Sequence, residues 1–134
     1  MIAESKIAEL AAAARDASAF AYCPYSRFRV GAAILTDQDE IITGCNVENA
    51  SYGLTICAER NAVFRAVGKG STRILAVAIY TPTSTPSAPC GACRQVINEF
   101  GPDAEIVSVC DGPDVLRKSL SELLPHAFGP ANLA

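Results

Sequence analysis

The sequence carries no excess of positive charge and no long apolar run, and each absence argues against a class of binding partner. Eleven lysines and arginines stand against fourteen acidic residues, which gives a formal net charge of −3. A polynucleotide-binding protein usually presents a basic stripe to phosphates, and a membrane-surface helix is also basic. No apolar run reaches the roughly 20 residues of a membrane span. We therefore expect neither nucleic acid nor a membrane as a partner.

The N-terminal segment also lacks the charged and apolar regions of a secretory leader. Residues 3–21 are rich in alanine, but five charged side chains interrupt the segment, which is typical of an amphipathic helix. We therefore expect a cytoplasmic protein. In that compartment, the six cysteines of the chain argue against a disulfide framework and favour metal binding, catalysis or simple burial.

Length and hydrophobic content limit the architecture. A chain of 134 residues is long enough for one ordinary domain and too short for two, so we expect a single domain over residues 1–134. Half of the residues are hydrophobic, and the mean hydropathy is +0.23. In so small a domain this content favours buried subunit interfaces in addition to a core, and a well-filled monomer core is the alternative.

Helix-like and strand-like segments alternate in the second half of the sequence. Apolar runs bounded by turn residues predict strands, and segments closed by glycine or proline predict helices. The predicted strands cover 28–35, 40–46, 74–80 and 105–110, and the predicted helices cover 3–21, 57–67, 90–100 and 119–124. Residues 36–39 join the first two strands as a hairpin. This pattern predicts an α/β fold in which helices flank a mixed sheet.

Three of the cysteines have the spacing of a metal site. Cys57 opens one predicted helix, and Cys90 and Cys93 lie in the first turn of the next. Two cysteines three residues apart project from one face of a helix and can bind one ion. Helix N-termini stabilise thiolates, and a sulfur-rich site selects zinc over calcium, magnesium or manganese. We therefore predict a zinc site.

Three protein ligands leave one tetrahedral position open. Structural zinc sites usually have four protein ligands, whereas catalytic sites keep water in the fourth position. The only histidine, His126, lies far along the chain from both motifs, so we do not expect it to be a ligand. Cys23, Cys45 and Cys110 flank or end predicted strands and are expected to be buried thiols. The ligand count favours a catalytic site.

Glu59 lies two residues beyond Cys57. On a regular helix this spacing points the two side chains apart, so the glutamate is not expected to bind the same ion. From the helix edge its longer side chain can still reach over the metal, where a proton shuttle for catalytic water belongs. The alternative is an acidic residue that merely complements the helix dipole. The position of Glu59 inside the metal motif favours the proton shuttle.

The motifs also match a known signature. A histidine or cysteine two residues before a glutamate, followed later by Pro-Cys-x-x-Cys, marks the zinc deaminases. With Cys-Ala-Glu-Arg at 57–60 and Pro-Cys-Gly-Ala-Cys-Arg-Gln at 89–95, the chain resembles the small homotetrameric cytidine deaminases. Blocks 25–32 and 46–53, and the closing 123–125 with Phe128, match that family as well. The resemblance covers nearly the whole chain.

The resemblance implies a three-layer α/β/α fold with a mixed central sheet of about five strands. It implies zinc-dependent hydrolytic deamination of cytidine and 2′-deoxycytidine to uridine and 2′-deoxyuridine, with release of ammonia, in pyrimidine salvage. The implied cofactor is one Zn²⁺ per subunit. The implied partners are a small nucleoside substrate and further copies of the chain, in a homotetramer whose pockets are completed by neighbouring subunits.

The same resemblance assigns roles around the metal. Cys57, Cys90 and Cys93 match the zinc ligands, and Glu59 matches the general acid and base. The backbone at Ala58 matches a contact to the cytosine carbonyl.

It also assigns the residues that bind the rest of the nucleoside. Phe28 matches an aromatic beside the nucleoside, and Asn46 and Glu48 match a pair that binds the ribose 3′-hydroxyl. Tyr52 and Phe128 match residues that reach a neighbouring subunit's pocket. Without the resemblance, a turn role would be favoured for Asn46 and Glu48. Loop packing would then explain Tyr52, and a tail anchor would explain Phe128.

The charge of the predicted zinc site indicates that one further residue contacts the ligands. Zinc with three thiolates carries a net charge of −1, which would make water at the site less acidic than at a neutral-histidine site. The helix N-termini offset part of this charge, and Arg60 follows Glu59 directly. We predict that Arg60 donates hydrogen bonds to one or more of the ligand sulfurs, with Arg94 as a weaker candidate. The alternative is a solvent-facing arginine.

Two other functions compete with this interpretation. A deaminase for a different aminopyrimidine or aminopurine would carry the same metal motif. A structural zinc module that binds a protein partner would need a fourth protein ligand and no Glu59.

Overall fold

The computed structural model describes residues 2–133, so the two terminal residues of the predicted domain 1–134 lie outside the described residues. It contains four α-helices and five strands in this range. The helices are α1 Glu4–Ala17, α2 Ala58–Gly68, α3 Gly91–Phe100 and α4 Leu120–Leu123. The strands are β1 Gly31–Thr36, β2 Ile41–Cys45, β3 Ile74–Tyr80, β4 Glu105–Val109 and β5 Leu116–Ser119. Short 3₁₀ turns cover Ser18–Phe20, Tyr52–Leu54 and Pro130–Asn132.

The five strands form one mixed sheet in the order β2-β1-β3-β4-β5. The β3–β4 pair is parallel, and the other three pairs are antiparallel. The helix α1 packs on one face of the sheet, and α2, α3 and α4 pack on the other. The predicted α/β/α fold with a mixed sheet of about five strands is therefore confirmed.

The buried strand β1 shows why the sheet needs both helix layers. Ala32 and Ile34 face the layer of α2 and α3, whereas Ala33 and Leu35 face α1. A strand covered on both faces is apolar at successive positions and does not alternate with polar residues. At Gly44 a Cβ atom would lie 2.5 Å from the backbone nitrogen of Ala62. The absence of a side chain therefore lets α2 approach β2 closely.

The helix and strand boundaries correct two sequence predictions and agree with a third. The predicted helix over 3–21 ends at Ala17 and continues as a 3₁₀ turn. The first strand begins at Gly31 and not at 28, because the Asn46 side chain binds the backbone of residues 28 and 30. The segment 119–124, predicted to hold one or two helical turns, holds one, and a reciprocal hydrogen-bonded cap between Ser119 and Glu122 fixes its start.

The strand β5 was absent from the strands read from the residue pattern. Arg117 and Lys118 occupy its centre, and a short charged strand of this kind is typical of a sheet edge. Among the described residues, none of the helices is long and apolar enough to cross a membrane.

Candidate active site

The N-termini of α2 and α3 bring the three predicted zinc ligands together. Cys57 is the N-cap of α2, Cys90 is the N-cap of α3, and Cys93 lies in the first turn of α3. Their three sulfur atoms lie within 4.8 Å of one another. Tetrahedral zinc with Zn–S bonds of about 2.3 Å separates its sulfur ligands by about 3.8 Å. The donor type and the spacing therefore fit zinc.

Cys57 and Cys93 differ in how readily their thiols lose a proton. A hydrogen bond with Cys93 is the main cause that lowers the pKa of Cys57 to about 5, and Arg60 adds to the effect. The same hydrogen bond and burial raise the pKa of Cys93. Zinc binds thiolates, so binding at this cluster must release the Cys93 proton. Zinc affinity should consequently increase with pH.

Arg60 lies beside the sulfur cluster. Its Nη2 donates a hydrogen bond to Cys57 Sγ at 3.5 Å, which is the kind of contact expected from the charge balance. The effect of this contact on zinc stays a prediction. Arg94 was the weaker candidate for the same role, and that suggestion is wrong. Its guanidinium donates to the backbone oxygens of Pro89 and Leu123, at 2.7 and 2.8 Å, and so ties the cysteine motif to the C-terminal segment.

Glu59 is the second residue of α2 and is only 6% exposed. Burial is the main cause that raises its pKa, and the negative charge of Cys57 raises it further. A carboxyl group with a raised pKa can both hold and release a proton near neutral pH. The position beside the sulfur cluster therefore suits proton transfer.

A cavity of about 250 Å³ opens onto Cys57 and Glu59. It lies just below the range of about 300–1,000 Å³ that is usual for ligand sites, so it suits a small ligand. It is lined by Phe28, Val30, Asn46, Thr55, Cys57, Ala58, Glu59, Ile79, Thr81, Ser87 and Ala88. The predicted residues Phe28, Asn46 and Ala58 thus share one cavity with the proposed acid and base.

Loop contacts fix the positions of Phe28 and Asn46. The Asn46 amide donates to the Phe28 backbone oxygen at 2.8 Å and accepts from the Val30 N–H at 2.9 Å. Glu48 is not among the residues that line the cavity. Its carboxylate accepts from the backbone N–H groups of Tyr25 and Ser26, at 3.0 and 3.1 Å, and from the Ser26 hydroxyl. These hydrogen bonds, that of the hydroxyl first, lower the pKa of Glu48.

Tyr52 and Phe128 lie outside the cavity of this chain. They are 75% and 60% exposed, respectively, and neither lines the cavity. The side chains of Gln95 and Asn98 on α3 donate to the Phe128 backbone oxygen at 2.8 and 3.3 Å. The helix that carries Cys93 therefore also anchors the tail and presents the Phe128 ring to solvent.

Sequence reasoning missed three polar residues in the cavity wall. Thr55 precedes α2, and Thr81 and Ser87 lie in the segment that joins β3 to α3. Only Ser87 had a signal, since it lies shortly before the Pro-Cys-x-x-Cys motif.

The remaining histidine and cysteines lie apart from the cluster. His126 is exposed, with a backbone φ of 55°. Cys23 and Cys110 are buried and Cys45 is partly buried, and all three are free thiols. Among residues 2–133, the trio Cys57, Cys90 and Cys93 is the one group of metal-binding side chains close enough to share an ion.

Comparisons with known proteins agree with the chemistry of the site. Residues 4–110 match the family model of the cytidine and deoxycytidylate deaminase zinc-binding region. A cytidine deaminase of Halalkalibacterium halodurans is 50% identical over 109 residues, which cover 81% of this chain and 83% of that protein. A cytidine deaminase of Mycobacterium tuberculosis is 48% identical over 116 residues, covering 87% of this chain and 84% of that protein.

A solved structure agrees with the fold. The crystal structure of cytidine deaminase from Burkholderia pseudomallei superposes with a TM-score of 0.88 at 46% identity, covering 95% of this chain and all of that chain. Sequence, fold and sulfur cluster lead to the same result: the chain belongs to the zinc-binding family of cytidine and deoxycytidylate deaminases.

Proposed function

We propose that this chain is a zinc-dependent cytidine deaminase that converts cytidine and 2′-deoxycytidine to uridine and 2′-deoxyuridine with release of ammonia. One observation carries the proposal: the buried Glu59 and Cys57, one member of the three-sulfur cluster, line the same small cavity. A carboxyl beside an open metal site is what the hydrolysis of an amidine requires, because water must lose a proton and the leaving amine must gain one.

Cys57, Cys90 and Cys93 would hold the zinc ion and leave its fourth position free. When bound, zinc would lower the pKa of water at that position far below its value in bulk water. Arg60 donates to Cys57 Sγ and so reduces the negative charge that three thiolates place on the site.

Glu59 moves the protons of the reaction. It accepts a proton from the attacking water and delivers it to ring N3, which makes C4 of the cytosine electrophilic. The water oxygen adds to C4 and forms a C4 hydroxyl. Glu59 then accepts the proton of this hydroxyl and transfers it to the amino group, so that the C4–N bond breaks, C4=O forms and ammonia leaves. One water enters and one ammonia leaves, so atoms and charges balance. The raised pKa of Glu59 favours a carboxyl that takes up a proton and gives it back.

Residues of the cavity wall orient the base. Ala58 is the first residue of α2, and the N–H groups of a first helical turn have no acceptor within the helix. The Ala58 N–H can therefore donate to the cytosine carbonyl oxygen. Phe28 supplies an apolar ring beside the nucleoside. Asn46 and Glu48 are proposed to bind the sugar 3′-hydroxyl.

We infer that the working form is a homotetramer in which Tyr52 and Phe128 complete the pocket of a neighbour. Two observations support this. Both side chains are highly exposed in the single chain, and other large apolar side chains, including Phe20 and Leu54, are exposed as well. Sedimentation equilibrium should give the mass of four chains, and a monomer at micromolar concentration would contradict the inference.

A cytoplasmic location and a role in pyrimidine salvage complete the proposal. All six cysteines are free, and free thiols are usual in a reducing compartment.

The decisive experiment is a spectrophotometric assay of four substrates: cytidine, 2′-deoxycytidine, deoxycytidylate and adenosine. We expect turnover of both nucleosides of cytosine, little turnover of the other two, and loss of activity with a strong chelator that added zinc restores. Preference for deoxycytidylate or adenosine would contradict the substrate assignment. One bound zinc per chain without any turnover would instead support a structural zinc module.

A further inference from the structure

The serine at position 26 joins two parts of the proposed sugar site. Its hydroxyl donates to a carboxylate oxygen of Glu48 and accepts the backbone N–H of Phe28 at 3.0 Å. The Ser26 backbone N–H also donates to Glu48, at 3.1 Å. One exposed side chain therefore contacts both a cavity-lining residue and a proposed sugar ligand.

We propose that Ser26 is a positioning residue for nucleoside binding, which fixes the position of the Glu48 carboxylate relative to Phe28. The inference rests on the proposed function and deepens it, because it names a residue that controls recognition of the sugar without touching the substrate.

The local backbone shows why such a link is needed. Arg27 lies between Ser26 and Phe28 in the left-handed region, with φ of 58°, a conformation that non-glycine residues rarely adopt. Its N–H donates to the Cys23 oxygen at 2.8 Å and closes a tight turn. The Ser26 hydroxyl bridges across Arg27 to the next N–H. It therefore stabilises the strained turn that places Phe28 at the cavity.

The hydrogen bonds of Glu48 and Asn46 leave some of their acceptor and donor positions free for the substrate. One oxygen of Glu48 accepts two backbone N–H groups, and the other accepts the Ser26 hydroxyl. A carboxylate has about four acceptor positions, so the Ser26-bound oxygen keeps one. The Asn46 amide, with one N–H given to Phe28, keeps one donor. One acceptor and one donor match a single hydroxyl group, and Ser26 fixes which Glu48 position stays open.

The test compares Ser26→Ala with Ser26→Thr, which keeps the hydroxyl, and with Ser5→Ala, an exposed serine of α1. We expect Ser26→Ala to lower kcat/KM for cytidine about tenfold, chiefly through a higher KM, and Ser26→Thr to restore most of the loss. Ser5→Ala should behave as wild type.

The substrates make the readout specific. 2′-Deoxycytidine keeps the 3′-hydroxyl and should show the same tenfold loss, whereas 3′-deoxycytidine lacks it and should show only the smaller part of the loss that comes from Phe28. In the double variant Ser26→Ala/Glu48→Gln, the loss should be smaller than the two single losses combined, because residues that act through a shared contact are not additive. Equal losses on all three nucleosides, additive losses, or no loss at all would overturn the inference. Wild-type protein without cytidine turnover would instead overturn the proposed function.

Discussion

The deep end and the mouth of the cavity are built in different ways. At the deep end, Cys93 and Glu59 are buried in the first turns of two helices that pack on the sheet. The mouth is the loop region of Asn46 and Glu48, and Tyr52 and Phe128 lie exposed outside the cavity, on a loop and on the tail. In the proposed homotetramer, one chain supplies the cysteines and Glu59 of a site, whereas recognition of the substrate also uses Tyr52 and Phe128 of a second copy of the chain.

The two regions are also held by different forces. The helix α2 is fixed by close packing against β2 at Gly44 and by buried apolar residues. The mouth is fixed by side-chain to backbone hydrogen bonds such as those of Asn46 and Glu48, and by the Tyr25 and Tyr52 rings, whose centroids are 5.8 Å apart. Packing tolerates little change, so substitutions at the deep end should have the larger effects.

The largest effect should follow from removal of a metal ligand. Cys93→Ala leaves two sulfur ligands, so we expect loss of bound zinc and of all measurable turnover. Thermal stability should fall too, since a bound ion stabilises the folded chain. Zinc content, the assay and a melting curve measure these outcomes. Cys110→Ala removes another buried thiol, one that donates to two carbonyl oxygens, and should keep zinc and activity. Full zinc content in Cys93→Ala would exclude it as a ligand.

Glu59→Gln should separate chemistry from metal binding. We expect kcat to fall by at least about 10³–10⁴-fold, the upper part of the range for general acid–base catalysis, with one zinc per chain retained. Glu9→Gln, on the exposed surface of α1, is the matched control and should be fully active. Substantial turnover in zinc-loaded Glu59→Gln would refute the assignment.

We expect Glu59→Gln to change the stability of the folded chain as well. Burial raises the pKa of Glu59, so ionisation of this carboxyl costs more free energy in the folded chain than in the unfolded chain. The cost is absent below the ordinary pKa of about 4.3 and increases as the pH rises through the raised pKa. In zinc-free protein, Glu59→Gln should therefore melt at a higher temperature than wild type at pH 7, and the difference should shrink towards pH 4. An unchanged difference across this range would contradict the buried-carboxyl explanation.

The deep end was the part of the site that sequence could predict. The spacing of Cys90 and Cys93, and the helix starts at Cys57 and Cys90, depend on a few neighbouring residues, and the structure brings all three sulfur atoms together. Spacing alone could not show that the N-termini of α2 and α3 meet, because that depends on the whole sheet. The resemblance to a known family supplied this link.

The mouth was harder to predict for a physical reason. Thr55 and Thr81 reach the cavity from segments that are far apart in sequence, and a threonine in a loop carries no local signal of a ligand. The bridge from Ser26 to Glu48 joins two loops 22 residues apart. The edge strand β5 was missed for a similar reason: its central Arg117 is stabilised by ion pairs with Glu4 and Glu105 and not by apolar burial.

Arg60→Gln tests whether a residue next to the sulfur cluster supports zinc binding at the deep end. Loss of the hydrogen bond to Cys57 Sγ should weaken zinc binding by about 10–100-fold, as is typical of groups that support a metal ligand. Removal of the positive charge should also move the acid limb of the pH–rate profile to higher pH, because the site becomes more negative. Competition with a chromogenic chelator gives the affinity. Arg65→Gln, which loses only contacts to Thr43, is the control. Unchanged affinity and profile in Arg60→Gln would contradict its role.

Phe128→Ala should have the smallest effect and gives the sharpest test of the contrast between the two regions. Loss of one aromatic contact is worth about 1.4 kcal/mol, or about tenfold in affinity. We expect KM for cytidine to rise by that amount with kcat and the melting temperature nearly unchanged. Leu133→Ala, on the same exposed tail, should have no effect.

Mixed oligomers can show whether the Phe128 ring completes the pocket of its own chain or that of a neighbouring chain. Chains with Phe128→Ala keep Glu59 but lack the ring, and chains with Glu59→Gln keep the ring but lack the catalytic carboxyl. If Phe128 completes a neighbour's pocket, co-expression of the two must create sites with an intact Glu59 from one chain and an intact ring from the other. Such sites turn over with the wild-type KM, although neither parent does. If the ring served its own chain, every active site in the mixture would keep the raised KM, and the mouth would then belong to the same chain as the deep end.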